Sequence, residues 1–207
     1  MPRVSDEHLA ARRQQIMTAA RACFLRNGFH STSMQDVIAE AGLSVGAVYR
    51  YFRSKNDLVT AIAEEAIGAL DELLREITRH DPPLPLAEAL ARVLTLVDRQ
   101  SGPDGLLRIA IQVWAESLRD PVLAGFVREK YTGFRAYYVT LAGQARRSGE
   151  LPPDADDEAV GAALFGLMPG YLLQRILTGS PDPESYLAGV RTLLGAARSA
   201  GGTGGHD

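Results

Sequence analysis

The sequence predicts an all-α protein in two parts. Three observations carry that prediction: apolar residues recur at helical spacing along almost the whole chain, no stretch shows the apolar-polar alternation of a strand, and Gly- and Pro-rich breaks cut the chain into helix-sized pieces. The first helix is predicted from about Arg12 to Asn27, with Ile16, Ala19, Ala20, Cys23 and Phe24 on one face. Gly28 ends it where left-handed backbone angles are favoured, and Phe29 packs back. The hydroxyls of "HSTS" supply the cap of a second helix, Met34 to Ala41, whose inner face is Val37, Ile38 and Ala41; Gly42 closes it.

A third, short helix starts at the cap Ser44 and ends near Phe52. Ser54 to Asp57 has the spacing of a capping box and opens a long fourth helix, whose row Leu58, Ile62, Ala66, Ala69, Leu73 and Ile77 runs to the breaker Asp81 to Pro85. Further helices are predicted over about 86–100, 104–119, 121–149, 156–178 and 183–198, separated by "SGPDG", "RDP", "SGELPPD" and "TGSPDP". Pro169 and Gly170 fall inside the fourth of these and predict a kink. The domains expected are 1–56 and 57–198, followed by a disordered Gly-rich tail over 199–207.

Composition narrows the function classes. With 207 residues, 46% hydrophobic and 23% charged, the chain is long enough for a real core. One cysteine excludes an internal disulfide framework and points to a reducing compartment; the start "MPRVSDEHLAARRQQ" lacks the apolar core of a signal peptide, and no apolar run approaches the roughly 18 residues of a membrane span. A cytoplasmic protein without a membrane partner is expected. The net charge of −3 is uneven: residues 1–60 hold 8 Lys and Arg against 5 Asp and Glu, the remainder 14 against 20, which suits a nucleic-acid partner at the N-terminal third.

An enzyme finds little support. His8, His30, His80 and His206 are scattered, Cys23 lies on the buried face of its helix, and neither a Gly-rich phosphate loop nor a metal-ligand pair is present. The acidic "PPDADDEAV" complements the dipole of the helix it opens and is not read as a metal site. No metal and no cofactor are expected.

The stretch "AGLSVGAVYRYFRSKNDL" joins two short helices at a glycine corner, the pattern of a helix-turn-helix whose second helix enters the major groove. Small residues at Gly46 and Ala47 admit close approach to DNA, while Val48 and Phe52 face the core. Tyr49 and Tyr51 direct hydroxyls outward, Arg50 adds positive charge, and the ammonium of Lys55 stands at the start of the fourth helix within reach of a phosphate.

On these residues, "GFHSTSMQDVIAEAGLSVGAVYRYFRSKNDLV" resembles the DNA-binding region of the TetR family of transcriptional regulators over about residues 12–60. Gly28 and Phe29, Thr32 and Ser33, Val37 to Gly42, and Tyr49, Phe52 and Lys55 match the family's pattern. The resemblance implies that Ser33, Tyr49 and Lys55 contact phosphates and that Gln35, Val45, Ala47 and Tyr51 can face bases. With Thr32, Ser44, Gly46 and Arg50 these make up the expected DNA-binding set.

In the second half, "IQVWAESLRDPVLAGFV" and "LFGLMPGYLLQRIL" resemble the subgroup whose regulatory domain is like that of the choline-responsive repressor BetI. Aromatic surface concentrates at Trp114, Phe126, Tyr131, Phe134, Tyr138, Phe165 and Tyr171; with Met168, and with Gln112, Glu116 and Gln174 as polar anchors, it predicts a site for an unidentified small-molecule effector. Ala162, Ala163, Gly166, Leu173, Tyr186, Val190, Leu193 and Leu194 resemble the helix pair with which family members form homodimers. The resemblance thus implies a homodimeric repressor released from operator DNA by an effector. Its competitors are a ligand-independent DNA-binding protein and an all-helical enzyme.

Overall fold

In a computed structural model, described over residues 6–103 and 105–201, the helices are α1 (Asp6–Asn27), α2 (Met34–Ala41), α3 (Val45–Tyr49), α4 (Lys55–Arg79), α5 (Leu86–Ser101), α6 (Leu107–Ser117), α7 (Pro121–Arg147), α8 (Asp157–Thr178) and α9 (Pro183–Gly201). No strand occurs among the described residues. α1 begins six residues before the predicted start, because its first turns are polar and exposed and carry no apolar period. α8 runs without a break through Pro169. Of the tail expected at 199–207, residues 199–201 continue α9 and 202–207 lie outside the described residues.

The chain divides into two compact units, Met1–Ile67 with Asp104–Val127 and Gly68–Pro103 with Arg128–Asp207. The first therefore holds more than the 1–56 segment expected: it includes the start of α4, all of α6 and the start of α7. Its core joins Ile16, Ala20, Cys23 and Phe24 of α1 to Val37, Val48, Phe52, Leu58 and Ile62, and Ile109, Val113 and Leu123 close it. Phe29 packs back on Phe24 at a ring separation of 5.4 Å, as the glycine stop implies. Burying each such side chain contributes about 1.5–3 kcal/mol.

The second unit buries Leu74 and Ile77 of α4, Leu90, Val93 and Leu94 of α5, Tyr138, Leu141 and Ala142 of α7, and Leu164, Tyr171 and Leu172 of α8. α7 and α8 meet closely at Gly161, where a Cβ would stand 2.6 Å from the backbone of Val139. A side chain there has no room, so this glycine sets the approach of the two helices. Beside it Arg146 grips Asp157 through two bonds of 2.8 and 2.9 Å. Pro85 cannot cap α5 through a side chain; the Leu86 amide instead donates to the Glu150 carboxylate at 3.0 Å.

α8 corrects one expectation from the sequence. By length and composition this helix is long and apolar enough to cross a membrane, yet only 28% of its most apolar stretch is buried within the chain. Leu173 and Leu177 of α8 and Leu193 of α9 are exposed, and an apolar groove of about 530 Å³ runs along Leu167, Tyr186, Gly189, Val190 and Leu193. Val190, assigned from the sequence to an outward interface, is buried in the unit's own core.

Candidate nucleic-acid interface

Three hydroxyl caps set the geometry of the N-terminal helices. Ser33 accepts the Asp36 amide at 3.2 Å and its own amide donates to Asp36 Oδ2 at 2.7 Å, so α2 opens with a closed capping box. The Ser33 amide first, and then the Ser33 hydroxyl donating to the same Oδ2 at 2.8 Å, hold the Asp36 carboxyl below the usual carboxylate range. Gly42 takes φ 63°, and its amide together with that of Leu43 satisfies the last carbonyls of α2. Ser44 accepts the Ala47 amide at 3.3 Å to start α3. Ser54 and Asp57 then pair reciprocally at the head of α4, with the Arg53 amide donating to Asp57 at 2.9 Å.

The resulting α3 has five residues and two unequal faces. Val48 is buried, while Val45 is 58% and Tyr49 42% exposed, and Gly46 and Arg50 are also exposed. A Cβ on Gly46 would meet nothing within 4 Å, so packing does not require glycine there. Its smallness leaves the outward surface low. Gln35 and Ser44 are exposed on the same motif, Ala47 is half-buried, and Tyr51 is half-buried with its ring against the core. This outward face sets small residues beside a tyrosine and an arginine, residue types that suit close approach to DNA.

Three expected contacts are placed otherwise. Thr32 is buried, and its hydroxyl donates to the carbonyls of Gly28 at 2.7 Å and Cys23 at 3.2 Å; it stabilises the exit from α1 and does not face outward. Lys55 donates to the carbonyls of Phe29 at 2.7 Å and His30 at 3.2 Å and lies 4.4 Å from the centroid of the Phe29 ring. Two of its three protons are thereby committed inward. Burial lowers the pKa of its ammonium, and the charge of Glu116 works against that shift. Gln112, expected as a ligand anchor, accepts the Phe29 amide at 2.5 Å and donates to the Phe24 carbonyl at 3.4 Å.

Other members of the unit's bond network gave no signal in the sequence. Gln15 donates to the Ala41 carbonyl at the end of α2, Arg26 pairs with Glu40, and Asn56 donates to Asp120 at 2.6 Å. Each links residues well apart in the chain, where no local spacing reveals a partner.

The residues expected around an effector divide between the units. Gln112, Trp114, Glu116 and Phe126 belong to the first, the rest to the second. Within the second unit Phe134, Tyr138, Met168 and Tyr171 are buried core residues. Tyr131 and Phe165 are half-buried; the Phe165 ring lies edge-on to Tyr131 at 5.1 Å and to Tyr138 at 5.7 Å. Burial pushes the Tyr131 phenol up to about 12. The Tyr171 hydroxyl donates to Asp98, which also accepts from Arg175 Nε at 3.0 Å, so that tyrosine serves an internal network. Gln174 is exposed and donates to the Gly170 carbonyl of its own helix. No group of three or more His, Cys, Asp or Glu side chains is placed to hold a metal among the described residues.

Residues 16–62 match the family model for bacterial regulatory proteins of the tetR family, and residues 85–198 match the model for the C-terminal part of BetI-type transcriptional repressors. The HTH-type transcriptional repressor Rv1474c of Mycobacterium tuberculosis is 43% identical, covering 94% of this chain and 96% of that protein. Among solved structures, Salmonella enterica GusR superposes with a TM-score of 0.76 at 26% identity, covering 96% of this chain and 100% of that one. A transcriptional regulator from Saccharomonospora viridis, in complex with choline, has the same fold, with a TM-score of 0.71 at 22% identity over 90% of this chain and 96% of its own.

Proposed function

Because the chain belongs to the TetR family of transcriptional regulators, with a BetI-type C-terminal region, we propose that it is a homodimeric repressor whose α3 reads an operator and whose second unit binds a small effector that releases it. The protein is a DNA-binding regulator and not an enzyme. The observation that carries the finer reading is the outward face of α3, where Val45, Gly46, Tyr49 and Arg50 are exposed on a helix too short to stand alone. Val45 and Ala47 offer apolar contact to thymine methyl groups and Gln35 a two-point bond to adenine; Tyr49, Arg50 and the exposed Ser33 serve phosphates. Lys55 we assign to tethering the head of α4.

Dimerisation is supported by the surfaces of α8 and α9. The helix with spanning-length apolarity leaves most of that surface uncovered, and Ala162, Ala163 and Gly166 permit close approach of a second helix pair. A second copy also supplies the second recognition helix, about 34 Å away on a near-palindromic site. For the effector, Tyr131 and Phe165 are the contact residues and Phe134, Tyr138, Met168 and Tyr171 the supporting wall. The choline bound by the Saccharomonospora viridis regulator supports a small organic molecule as the kind of ligand that such a unit takes. An effector that prefers a conformation with mismatched recognition helices lowers operator affinity by its differential binding.

The test is selection of bound duplexes from a random pool by the purified chain, followed by a compound screen for release. Recovery of a near-palindromic site whose binding one class of compound abolishes is expected. Binding without sequence preference and without release by any compound overturns the reading and favours the ligand-independent alternative.

A further inference from the structure

We propose that Gln112 is a positioning residue for operator recognition: through its side-chain amide, α6 sets the corner between α1 and α2, and with it the pose of the helix-turn-helix. The corner is short of regular pairing, and side chains hold its backbone. The Gly28 carbonyl takes the Thr32 hydroxyl, the carbonyls of Phe29 and His30 take Lys55, and the Phe29 amide and Phe24 carbonyl take the two ends of Gln112. Gln112 alone among these side chains comes from α6. A Cβ on Gly28 would stand 4.0 Å from its Oε1, so the glycine and the amide sit together at the corner.

The bonds run in opposite directions, one accepted and one donated, and only a carboxamide of this length makes both. One and two turns further along, Glu116 faces His30 at 3.8 Å and supports the charge of Lys55, and Asp120 accepts from Asn56 at 2.6 Å. The three side chains stand four residues apart, which places them in one stripe along α6 and the corner after it. That stripe engages the end of α1, the corner that follows it and the start of α4 from one side, and Gln112 is its member with both bonds to backbone. Because backbone bonds fix a segment's position more tightly than a surface ion pair does, Gln112 defines where Ser33 and α2 begin.

The inference rests on the reading of α3 as the DNA-contacting helix, and the experiment separates the two. Wild type is first shown to select an operator; a wild type that binds no duplex overturns the functional reading, and this inference with it. Gln112→Met keeps the length and removes both bonds, and Gln112→Glu keeps the acceptor for the Phe29 amide. At a temperature where circular dichroism shows every variant fully folded, Gln112→Met is expected to bind operator roughly tenfold more weakly, the worth of a lost hydrogen bond to a buried partner. Its slope of log K against log salt stays that of wild type, since no phosphate contact is removed. Hydrogen exchange at the Phe29 amide accelerates in Gln112→Met and stays slow in Gln112→Glu, whose operator affinity lies between those of wild type and Gln112→Met because its carboxylate keeps the acceptor but sets a charged oxygen against the Phe24 carbonyl. Wild-type operator affinity in Gln112→Met despite fast Phe29 exchange overturns the proposal, as does a changed salt slope. Should Gln112→Met fail to fold, Gln112→Asn, one methylene shorter, carries the same comparison.

Discussion

The two compact units join segments distant in the chain with different mixtures of the same bonds. In the first, side chains mostly reach backbone: Ser33, Ser44 and Ser54 cap helices, and Thr32, Lys55, Gln15 and Gln112 bind carbonyls or amides of other segments. In the second, bonds between segments distant in the chain divide between side-chain pairs, as in Arg146 with Asp157, Tyr137 with Asp71, and Tyr171 and Arg175 with Asp98, and backbone anchors, as in Gln144 on the Thr78 carbonyl, Tyr186 on the Leu167 carbonyl and Glu150 on the Leu86 amide. Backbone anchors fix the path of the chain whatever the rotamers do. Paired side chains leave the path to packing and can re-form elsewhere. On the proposed function, the difference suits a first unit that presents one shape to DNA and a second that accommodates a guest.

The strongest way to break this contrast is at the close approach of α7 and α8. Gly161→Val forces side-chain atoms into the Val139 backbone and is expected to cost about 3 kcal/mol of stability by overpacking, measured by urea unfolding. Operator affinity of the protein that remains folded should change little. An undiminished midpoint would show that the helices separate freely there.

A smaller effect is expected in the first unit. Ser33→Ala removes the cap of α2 and should cost about 1 kcal/mol while weakening operator binding, because α2 braces the reading helix. Wild-type operator affinity in Ser33→Ala despite the lost stability would argue that the cap has no special part in recognition. Tyr171→Phe should cost less, about 0.5–1 kcal/mol, since Arg175 still satisfies Asp98. Its operator affinity should stay at the wild-type value, read by fluorescence anisotropy.

Acid gives the mildest probe and bears on both units. Asp36 is held below the usual carboxylate range by Ser33, Asp120 first by Asn56, and Asp157 first by Arg146. A depressed folded pKa means that each contribution is fully present above the unfolded value near 4 and is lost as pH falls through the lower folded value. Stability should therefore be level from neutral pH to about 5 and decline below about 4. Asp36→Asn should flatten part of that decline, read as the acid dependence of the thermal midpoint.

Much of the first unit was legible in the sequence because its determinants are local. Hydroxyls before an apolar run and a glycine after it place α2 at about 34–41, and the helix observed is Met34–Ala41. The all-helical fold and the later helices follow from the same period and breakers, to within a few residues. What spacing could not show was direction. Thr32 and Ser33 are adjacent hydroxyls, yet one turns into the core and the other caps a helix outward, a choice made by the exit of α1. Lys55 and Gln112 looked like free polar groups because their partners are carbonyls and amides, which every residue has and no residue type advertises. The Gly161 approach and the Asp98 network depend on packing between helices distant in the chain, where no local pattern exists.

The short reading helix leaves one consequence for the protein's history. α3 owes its shape to Ser44, Val48 and Phe52, while Val45, Gly46, Tyr49 and Arg50 lend little to the core. With α3 as the proposed DNA-reading helix, inheritance of the fold and choice of target are written on different residues. Descendants can exchange one set for new promoters without relearning how to fold.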